Sequence, residues 1–329
     1  MKLGSKNDKG IQIRRKLKAV YYGLRYMLRH TFRYIRNINA NYYASQENFM
    51  PILIANYHVI EKCLAMPNFE LGHAKERVQV VCADLITYKQ LGFDCKHIQY
   101  QCAIQSVQEY DIIHKQANYA LPSTLQQLID KVLVESTIEQ YHQVEVKRAE
   151  FFANSHADFE QFAKSRHSCR AYSTENIPLE EISACIDLAR TTPTACNRQP
   201  NKTYVITQPE LIKQIIEIQG GGRGFADNTN KLLIVTSNVT VFNTNEIQEA
   251  MKAGGMYAMN LLYALHYHKI GVCPLLWGEN VEKDKKLREL VNIPDYEEII
   301  IVYSCGYPLD IFKYVRSERN SLNESLIII

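Results

Sequence analysis

Ser165-Arg166-His167-Ser168-Cys169-Arg170-Ala171-Tyr172 is the most informative stretch of this sequence, because it spaces polar side chains at every second position. Arg166, Ser168 and Arg170 stand at i, i+2 and i+4, so an extended backbone turns all three to one side. Two guanidinium groups and a hydroxyl suit a phosphate, since Arg donates in a planar fork that matches anionic oxygens. The stretch therefore predicts an anion site, and later motifs add to its weight.

The bulk composition is that of a globular protein. The chain has 329 residues, of which 46% are hydrophobic and 22% are charged, and this length favours two domains. No apolar run approaches the roughly 20 residues of a membrane span, and the N-terminus lacks the apolar core of a secretory signal. The 9 cysteines are scattered without a CxxC pair, which is typical of reduced thiols. We therefore expect a cytoplasmic protein.

The N-terminal segment is strongly basic. Residues 1–37 hold 11 Lys or Arg against one Asp, which leaves 27 basic and 34 acidic residues elsewhere. Apolar residues from Ile13 to Leu28 recur at helical spacing, which predicts a basic amphipathic helix over residues 11–37. Such a helix can lie on the anionic inner face of a membrane, or it can pack on its own domain with a solvated basic face. No nucleic-acid module is recognisable, so we do not expect nucleic-acid binding.

Residues 1–145 are predicted to form an all-helical module. Helical periodicity predicts helices over residues 51–66, 73–92, 98–117 and 123–140. His58, Glu61 and Lys62 share one face of the first of these helices. They form either an acid/base or binding cluster or simple intrahelical pairs, and we favour the pairs because no second cluster converges on them.

The second domain, residues 146–329, mixes helices and strands after a charged, helical bridge over residues 141–164. The predicted elements are helices at 179–190, 210–219, 246–268 and 281–290, strands at 203–207, 232–235 and 298–304, a glycine loop at 220–224, a turn at 271–277 and an irregular basic tail. Continuous apolar strands are covered on both faces, so helices should flank the sheet. The β-prone residues 325–329 need a partner, for which another subunit is a candidate.

Several enzyme classes lack their signatures here. No HExxH, GxSxG or P-loop occurs, and the 10 histidines show no metal-ligand spacing, so neither a metal site nor serine hydrolysis is expected. The glycine loop follows a helix, whereas a dinucleotide fingerprint follows a strand. Outside the 165–172 stretch, the polar loop residues are Asn197, Gln199, Arg316 and Arg319. Amides suit the edge of a heterocycle and arginines suit a phosphate. We therefore predict a phosphorylated, ring-bearing cofactor.

Ordered motifs across residues 160–329 resemble the nitroreductase family of FMN enzymes. Ser-Arg-His-Ser-Cys-Arg (165–170) and Pro-Thr-Ala-Cys-Asn-Arg-Gln-Pro (193–200) are similar to its S-R-x-S-x-R start and its S-x-x-N-x-Q-P turn. Residues 254–262, 270–273 and 306–308 resemble its central helix, the turn after that helix and a late strand end. The resemblance implies an α+β, nitroreductase-like fold, in which a central and mostly antiparallel sheet is flanked by helices. Here the all-helical module precedes it.

The resemblance also implies which residues bind the cofactor. The FMN phosphate and ribityl chain would be held by Arg166, His167, Ser168 and Arg170. Asn197 and Gln199 would contact the flavin. Thr194 would contact it as well, and it stands in a turn position that family members often contribute from the other subunit. The ring would be lined by the backbone of Pro274, Leu275, Leu276 and Trp277. Arg319, with or without Arg316, would return to the phosphate.

The resemblance implies an enzyme without catalytic side chains of its own, because FMN carries the chemistry. Hydride would pass from NAD(P)H through FMN to a small organic acceptor in a ping-pong sequence. A homodimer with exchanged C-terminal strands is implied as well. Ala195 and Asn201 replace a Ser and an aromatic residue that are common in the family, and these departures concern the substrate more than the flavin.

The helical module carries a resemblance of its own. Residues 57–66, Tyr-His-Val-Ile-Glu-Lys-Cys-Leu-Ala-Met, resemble a helical extension of nitroreductase-like proteins from bacterial polysaccharide loci. An alternative function follows from this resemblance. The protein would then be a non-redox or divergent-flavin accessory protein in surface polysaccharide synthesis.

Overall fold

The structure, a computed structural model, describes residues 7–37, 41–134, 142–222, 224–278 and 280–329. It divides into two compact units, each built from two segments of the chain. The sheet unit comprises Met1–Ile38 and Thr174–Tyr307, and the helical unit comprises Asn39–Ser173 and Pro308–Ile329. The chain passes from one unit to the other at residues 38/39, 173/174 and 307/308. The domain boundary between residues 145 and 146 stays a prediction from the sequence.

Four helices form the core of the helical unit, as predicted. They are α2 (Gln46–Leu64), α3 (Lys75–Gln90), α4 (Ile98–Gln116) and α5 (Ser123–Leu133). Helix α2 begins before the predicted Pro51, because the Ser45 hydroxyl caps it by accepting from Asn48 N at 3.3 Å. Residues 135–140 of the fourth predicted helix lie outside the described part of the chain. Leu53, Ile60, Val81 and Tyr110 are fully buried in this core.

The predicted helical bridge over residues 141–164 is wrong in part, and so is the irregular tail. Strand β1 (Gln143–Lys147) pairs antiparallel with β6 (Ile311–Val315), and only then do short helices α6 (Arg148–Phe151) and α7 (Phe159–Ser165) follow. The partner of β1 lies far along the chain, so local periodicity could not reveal the pairing. Residues 166–173 run beside the same segment, with an antiparallel bridge between Tyr172 and Pro308. The informative stretch therefore belongs to the helical unit.

The sheet unit contains a four-stranded sheet of order β2-β3-β5-β4, in which all neighbours are antiparallel. Its strands are β2 (Asn201–Ile206), β3 (Lys231–Asn238), β4 (Gly271–Leu275) and β5 (Glu297–Gly306). The predicted turn at 271–277 is wrong over residues 271–275, which form an edge strand. Pro274 is compatible with such a strand because an edge position need not donate a ladder hydrogen bond.

Helices flank this sheet, as predicted, and the fold is α+β. They are α8 (Leu179–Ala189), α9 (Pro209–Gln219), α10 (Glu249–Tyr267) and α11 (Val281–Val291). Apolar residues of α8 and α10 share one core with strands β3, β4 and β5. Helix α10 approaches the sheet so closely at Gly254 that a Cβ atom there would collide with Ile300 Cγ1. A larger residue at this position would require the Ile300 side chain to move.

Helix α1 (Asn7–Asn37) confirms the predicted N-terminal helix. Its apolar side chains are largely uncovered: Leu17 is 64% exposed, Leu24 is 57% exposed and Phe32 is 71% exposed. This exposure disagrees with the interpretation in which the apolar face packs on its own domain. Among the described helices, none has both the length and the apolar character needed to cross a bilayer.

Candidate functional site

The helical unit contains a polar cavity of about 560 Å³ at the informative stretch. Arg166, His167 and Ser168 line it together with Arg319 from the C-terminal segment. Helices α2 and α4 contribute Tyr57, His58, Glu61 and Gln99 to the same cavity. The structure thus brings together four of the predicted phosphate ligands, and it adds a wall from the helical module that the sequence did not indicate.

The positive charge of this cavity comes from arginine. Burial, the largest cause, and the neighbouring Arg166 and Arg319 charges together lower the pKa of His167 to about 4, although a hydrogen bond with the Val315 backbone acts to raise it. The His167 ring lies against Tyr314, with centroids 4.4 Å apart. His167 is therefore neutral near pH 7, and two guanidinium groups supply the field that attracts an anion.

Arg316 and Arg319 lie in different surroundings. Arg319 lines the cavity. Arg316 does not line it: its backbone N–H donates to His142 O at 3.0 Å, and its charge acts on the buried Glu109 and, as the weakest of the causes, on the pKa of His167. Burial raises the pKa of Glu109 to about 7, and the charges of Lys313 and Arg316 oppose that rise. Arg319 is therefore the better-placed of the two for an anion in the cavity.

Arg170 does not line the cavity, although the alternate spacing predicted that it would join Arg166 and Ser168. Cys169 and Ala171, on either side of it, are buried, and Arg170 itself is half-buried. Ala171 O accepts from Leu309 N at 3.0 Å, so this part of the stretch is held by the C-terminal segment. A role for Arg170 in cofactor binding stays a prediction.

The predicted flavin-contacting turn lies in the sheet unit, just before β2. Cys196, Asn197 and Gln199 all have a positive φ, of 52°, 55° and 49° respectively. Non-glycine residues rarely adopt this conformation, and clusters of it mark functional sites. Thr194 stabilises the turn, because its carbonyl accepts from Asn197 N at 2.9 Å and its hydroxyl accepts from Gln199 N at 3.0 Å. The Asn197 and Gln199 side chains are exposed and available to a ligand.

Arg198 holds this turn in place, a role that the sequence analysis did not anticipate. Its guanidinium donates to both Glu246 carboxylate oxygens, at 2.6 and 3.1 Å. These hydrogen bonds lower the pKa of Glu246 to about 2, well below its ordinary value. Glu246 is 48 residues away along the chain, and no local pattern pairs the two residues.

The third predicted group, Pro274 to Trp277, lies where β4 ends. Pro274 is half-buried and Leu275 is buried, whereas Leu276 is 81% exposed. Leu276 O accepts from Gln219 Nε2 at 2.8 Å, and Trp277 Nε1 donates to Asp284 at 3.4 Å. The backbone after β4 is thereby tied to the end of α9 and to α11.

The sheet unit does not bring its two predicted groups together. The turn before β2 and the end of β4 lie at the same end of the sheet, because β2 starts where β4 finishes in the antiparallel order. They lie on opposite edges, however, three interstrand spacings apart, which corresponds to roughly 14 Å. One sheet unit therefore presents the Asn197 and Trp277 groups as two separate surfaces.

Comparisons with known proteins find one family model and several similar proteins. Residues 163–222 match a family model described as "Nitroreductase family". The chain is 29% identical over 149 residues to a protein of Archaeoglobus fulgidus named "Putative NADH dehydrogenase/NAD(P)H nitroreductase", which covers 44% of this chain and 83% of that protein. It is 23% identical over 216 residues to the iodotyrosine deiodinase of Nematostella vectensis, covering 56% of this chain and 80% of that one.

The comparison with solved structures includes an FMN-dependent nitroreductase of Clostridium difficile. That likeness covers 50% of this chain and 92% of the other, at 18% identity and a TM-score of 0.40.

Proposed function

We propose that the chain is an FMN-dependent oxidoreductase that takes hydride from NAD(P)H, because its residues 163–222 match the nitroreductase family model. The observation that carries the proposal is the cavity of the helical unit, where Arg166 from the first motif of the family resemblance and Arg319 from the C-terminal segment line the same space. The NAD(P)H part rests on the name of the Archaeoglobus relative. The acceptor is a small organic molecule.

The residues present fit FMN. Arg166, Ser168 and Arg319 offer charged and hydroxyl donors to a phosphate, and the neutral His167 can accept from a hydroxyl or donate to an oxyanion. Asn197 and Gln199 offer exposed amides on a rigid turn, which suit the polar edge of a flavin. The bound flavin would supply the hydride chemistry, since it accepts and then returns two electrons. The protein would supply the charge, orientation and exclusion of water.

The visible spectrum of the purified protein tests the cofactor. We expect oxidised-flavin absorption bands after loading with FMN, at one FMN per chain. A colourless protein that does not take up added FMN would contradict the proposal.

The nine free thiols support a cytoplasmic location for such an enzyme, because disulfides are rare in that compartment.

We also propose that the protein is a homodimer whose C-terminal segments are exchanged. The two predicted flavin groups of one sheet unit lie on opposite edges of the sheet, so a second copy can complete what one copy leaves open. Residues 326–329 support an exchange, because Ile327 and Ile328 are 83% and 87% exposed. Apolar residues in such a run need cover from a partner.

Sedimentation of I327D/I328D tests the dimer. We expect the wild-type chain to sediment as a dimer and this variant as a monomer, because buried aspartates at an exchanged segment are strongly unfavourable. L322D is the matched control, since Leu322 is 72% exposed and lies outside residues 326–329. A monomeric wild-type chain would contradict the proposal.

Helix α1 supports a further proposal, contact with an anionic membrane surface. Its apolar face is exposed along the helix, and residues 1–37 carry 11 basic residues and one acidic residue. Each Lys or Arg near an anionic surface contributes about 1 kcal/mol of attraction, and the apolar face adds burial at the headgroup boundary. The charge of the segment selects a lipid surface over a neutral partner.

Co-sedimentation with vesicles tests this contact. We expect at least about tenfold more binding to phosphatidylserine-containing vesicles than to phosphatidylcholine vesicles. L17E/L24E should abolish the binding, whereas Q12E/A19E adds the same charge away from the apolar face and should retain most of it. If both variants lost vesicle binding equally, charge alone would drive the contact. If the wild-type chain did not bind the vesicles, the proposed membrane contact would be refuted.

A further inference from the structure

His58 and Glu61 form a dyad on the α2 wall of the cavity. The Glu61 carboxylate accepts from His58 Nδ1 at 2.9 Å, and the Glu61 side chain is only 2% exposed, against 35% for His58. A carboxylate that accepts from Nδ1 fixes the orientation of an imidazole ring. Because Nδ1 is engaged by Glu61, Nε2 is the nitrogen that His58 has left for a ligand of the cavity, which His58 lines.

The dyad lies beside further buried polar groups, and it is not a surface ion pair. The second Glu61 oxygen lies 3.2 Å from Nδ1 of His142, a residue that is 3% exposed. Beside the dyad, the Tyr57 hydroxyl donates to Gln99 Oε1, and Gln99 Nε2 donates to Glu318 O at 3.1 Å. Groups from α2, α4 and the C-terminal segment therefore hold the cavity wall in one arrangement, which preorganises it for a ligand.

Two carboxylate residues, Glu61 and Glu318, line the same cavity, and this affects which anion can bind. A bare carboxylate would repel a phosphate. The Glu61 side chain is only 2% exposed, however, and one of its carboxylate oxygens is already occupied by the hydrogen bond from His58. An imidazole that carries a proton on both ring nitrogens can donate to a carboxylate through one nitrogen and to a phosphate through the other. His58 already contacts Glu61 through Nδ1 and lines the cavity beside Arg166 and Arg319.

We propose that the helical module completes the phosphate site of the cofactor: His58, oriented by Glu61, binds the FMN phosphate in the cavity that Arg166 and Arg319 line. This inference rests on the proposed function. It gives the helical half of the chain a role, since one of its helices supplies a cofactor ligand. His58 is a binding residue, and Glu61 is a positioning residue that acts through it.

Titrations with FMN and with riboflavin, which lacks the phosphate, test the inference through the quenching of flavin fluorescence. We expect H58A to lower the affinity for FMN about tenfold, the effect of losing one charge-assisted hydrogen bond, and to leave the affinity for riboflavin unchanged. E61Q should also lower the ratio of FMN affinity to riboflavin affinity, but by a smaller factor than H58A does. A loss of fold would weaken both flavins together, so the ratio separates a phosphate contact from a structural effect.

K62A is the matched control, because Lys62 lies on the same helix face without lining the cavity. It removes a positive charge and should leave the ratio unchanged. H58Q, which keeps a side-chain donor, should recover part of the lost affinity. If the wild-type chain binds FMN and H58A retains its full ratio, the inference fails while the proposed function stands. If the wild-type chain binds neither flavin, both fail.

Discussion

R166A is expected to lower the affinity for FMN between about 10-fold and 100-fold. Arg166 lines the cavity of the helical unit beside Ser168 and Arg319, and a hydrogen bond to a charged group contributes about 1.5–3 kcal/mol, where each 1.4 kcal/mol corresponds to about tenfold in affinity. The double variant R166A/R319A should release FMN at micromolar concentrations. Fluorescence titration or the flavin content of the purified protein measures the effect.

K164A provides the control for R166A. Lys164 lies two residues earlier, pairs with Glu160 at the surface and is 75% exposed, and exposed pairs of this kind contribute about 0–1 kcal/mol. Its loss removes the same charge without touching the cavity. An R166A variant that kept its FMN at wild-type affinity would show that the anion site lies elsewhere.

E297Q is expected to destabilise the sheet unit by about 2–3 kcal/mol. Glu297 is completely buried at the start of β5, where its carboxylate accepts from Lys202, from the Tyr204 hydroxyl at 2.8 Å and from the Thr236 hydroxyl at 2.8 Å. A glutamine would turn its NH2 group towards at least one of these donors. E298Q changes the exposed neighbouring residue and should have almost no effect. The urea midpoint of unfolding measures both.

The effect of E297Q should depend on pH in a definite direction. Burial acts to raise the pKa of Glu297, but the hydrogen bonds from Lys202, Thr236 and Tyr204 outweigh it and hold the pKa below its ordinary value of 4.5. A lowered folded-state pKa contributes stability above the unfolded value, and that stability is lost as the pH falls through the folded value. The difference between wild type and E297Q should therefore be constant above about pH 5 and narrow below 4.5. An unchanged difference at pH 3 would contradict this account.

Elements whose pattern is local were predicted well from the sequence. Helices α4, α8 and α11 lie within one residue of their predicted ends, because apolar periodicity and flanking Pro or Gly residues decide them. Strand β1 was missed, and residues 143–147 were predicted as helix, because the strand depends on a partner at 311–315. Pro274 suggested a turn where the chain forms an edge strand. Tertiary pairing decided both cases.

The residues of the candidate site also fall into those that a local motif predicts and those that only tertiary packing brings together. Arg166, His167, Ser168 and Arg319 could be predicted because their motif and its order along the chain are visible in the sequence. His58 and Glu61 were interpreted as a simple intrahelical pair, and the pair is confirmed at 2.9 Å. Their convergence with His142 and with the arginines of the cavity depends on how residues 165–172 pack in the helical unit. No spacing within one helix could show it.

The most direct test of the central claim is an anaerobic titration of the FMN-loaded protein with NADH and, separately, with NADPH. We expect the visible absorption of the oxidised flavin to bleach completely at one equivalent of at least one of the two nucleotides, and to return when an oxidised acceptor is added. A bound flavin that stays oxidised with an excess of both nucleotides would contradict the proposed oxidoreductase function.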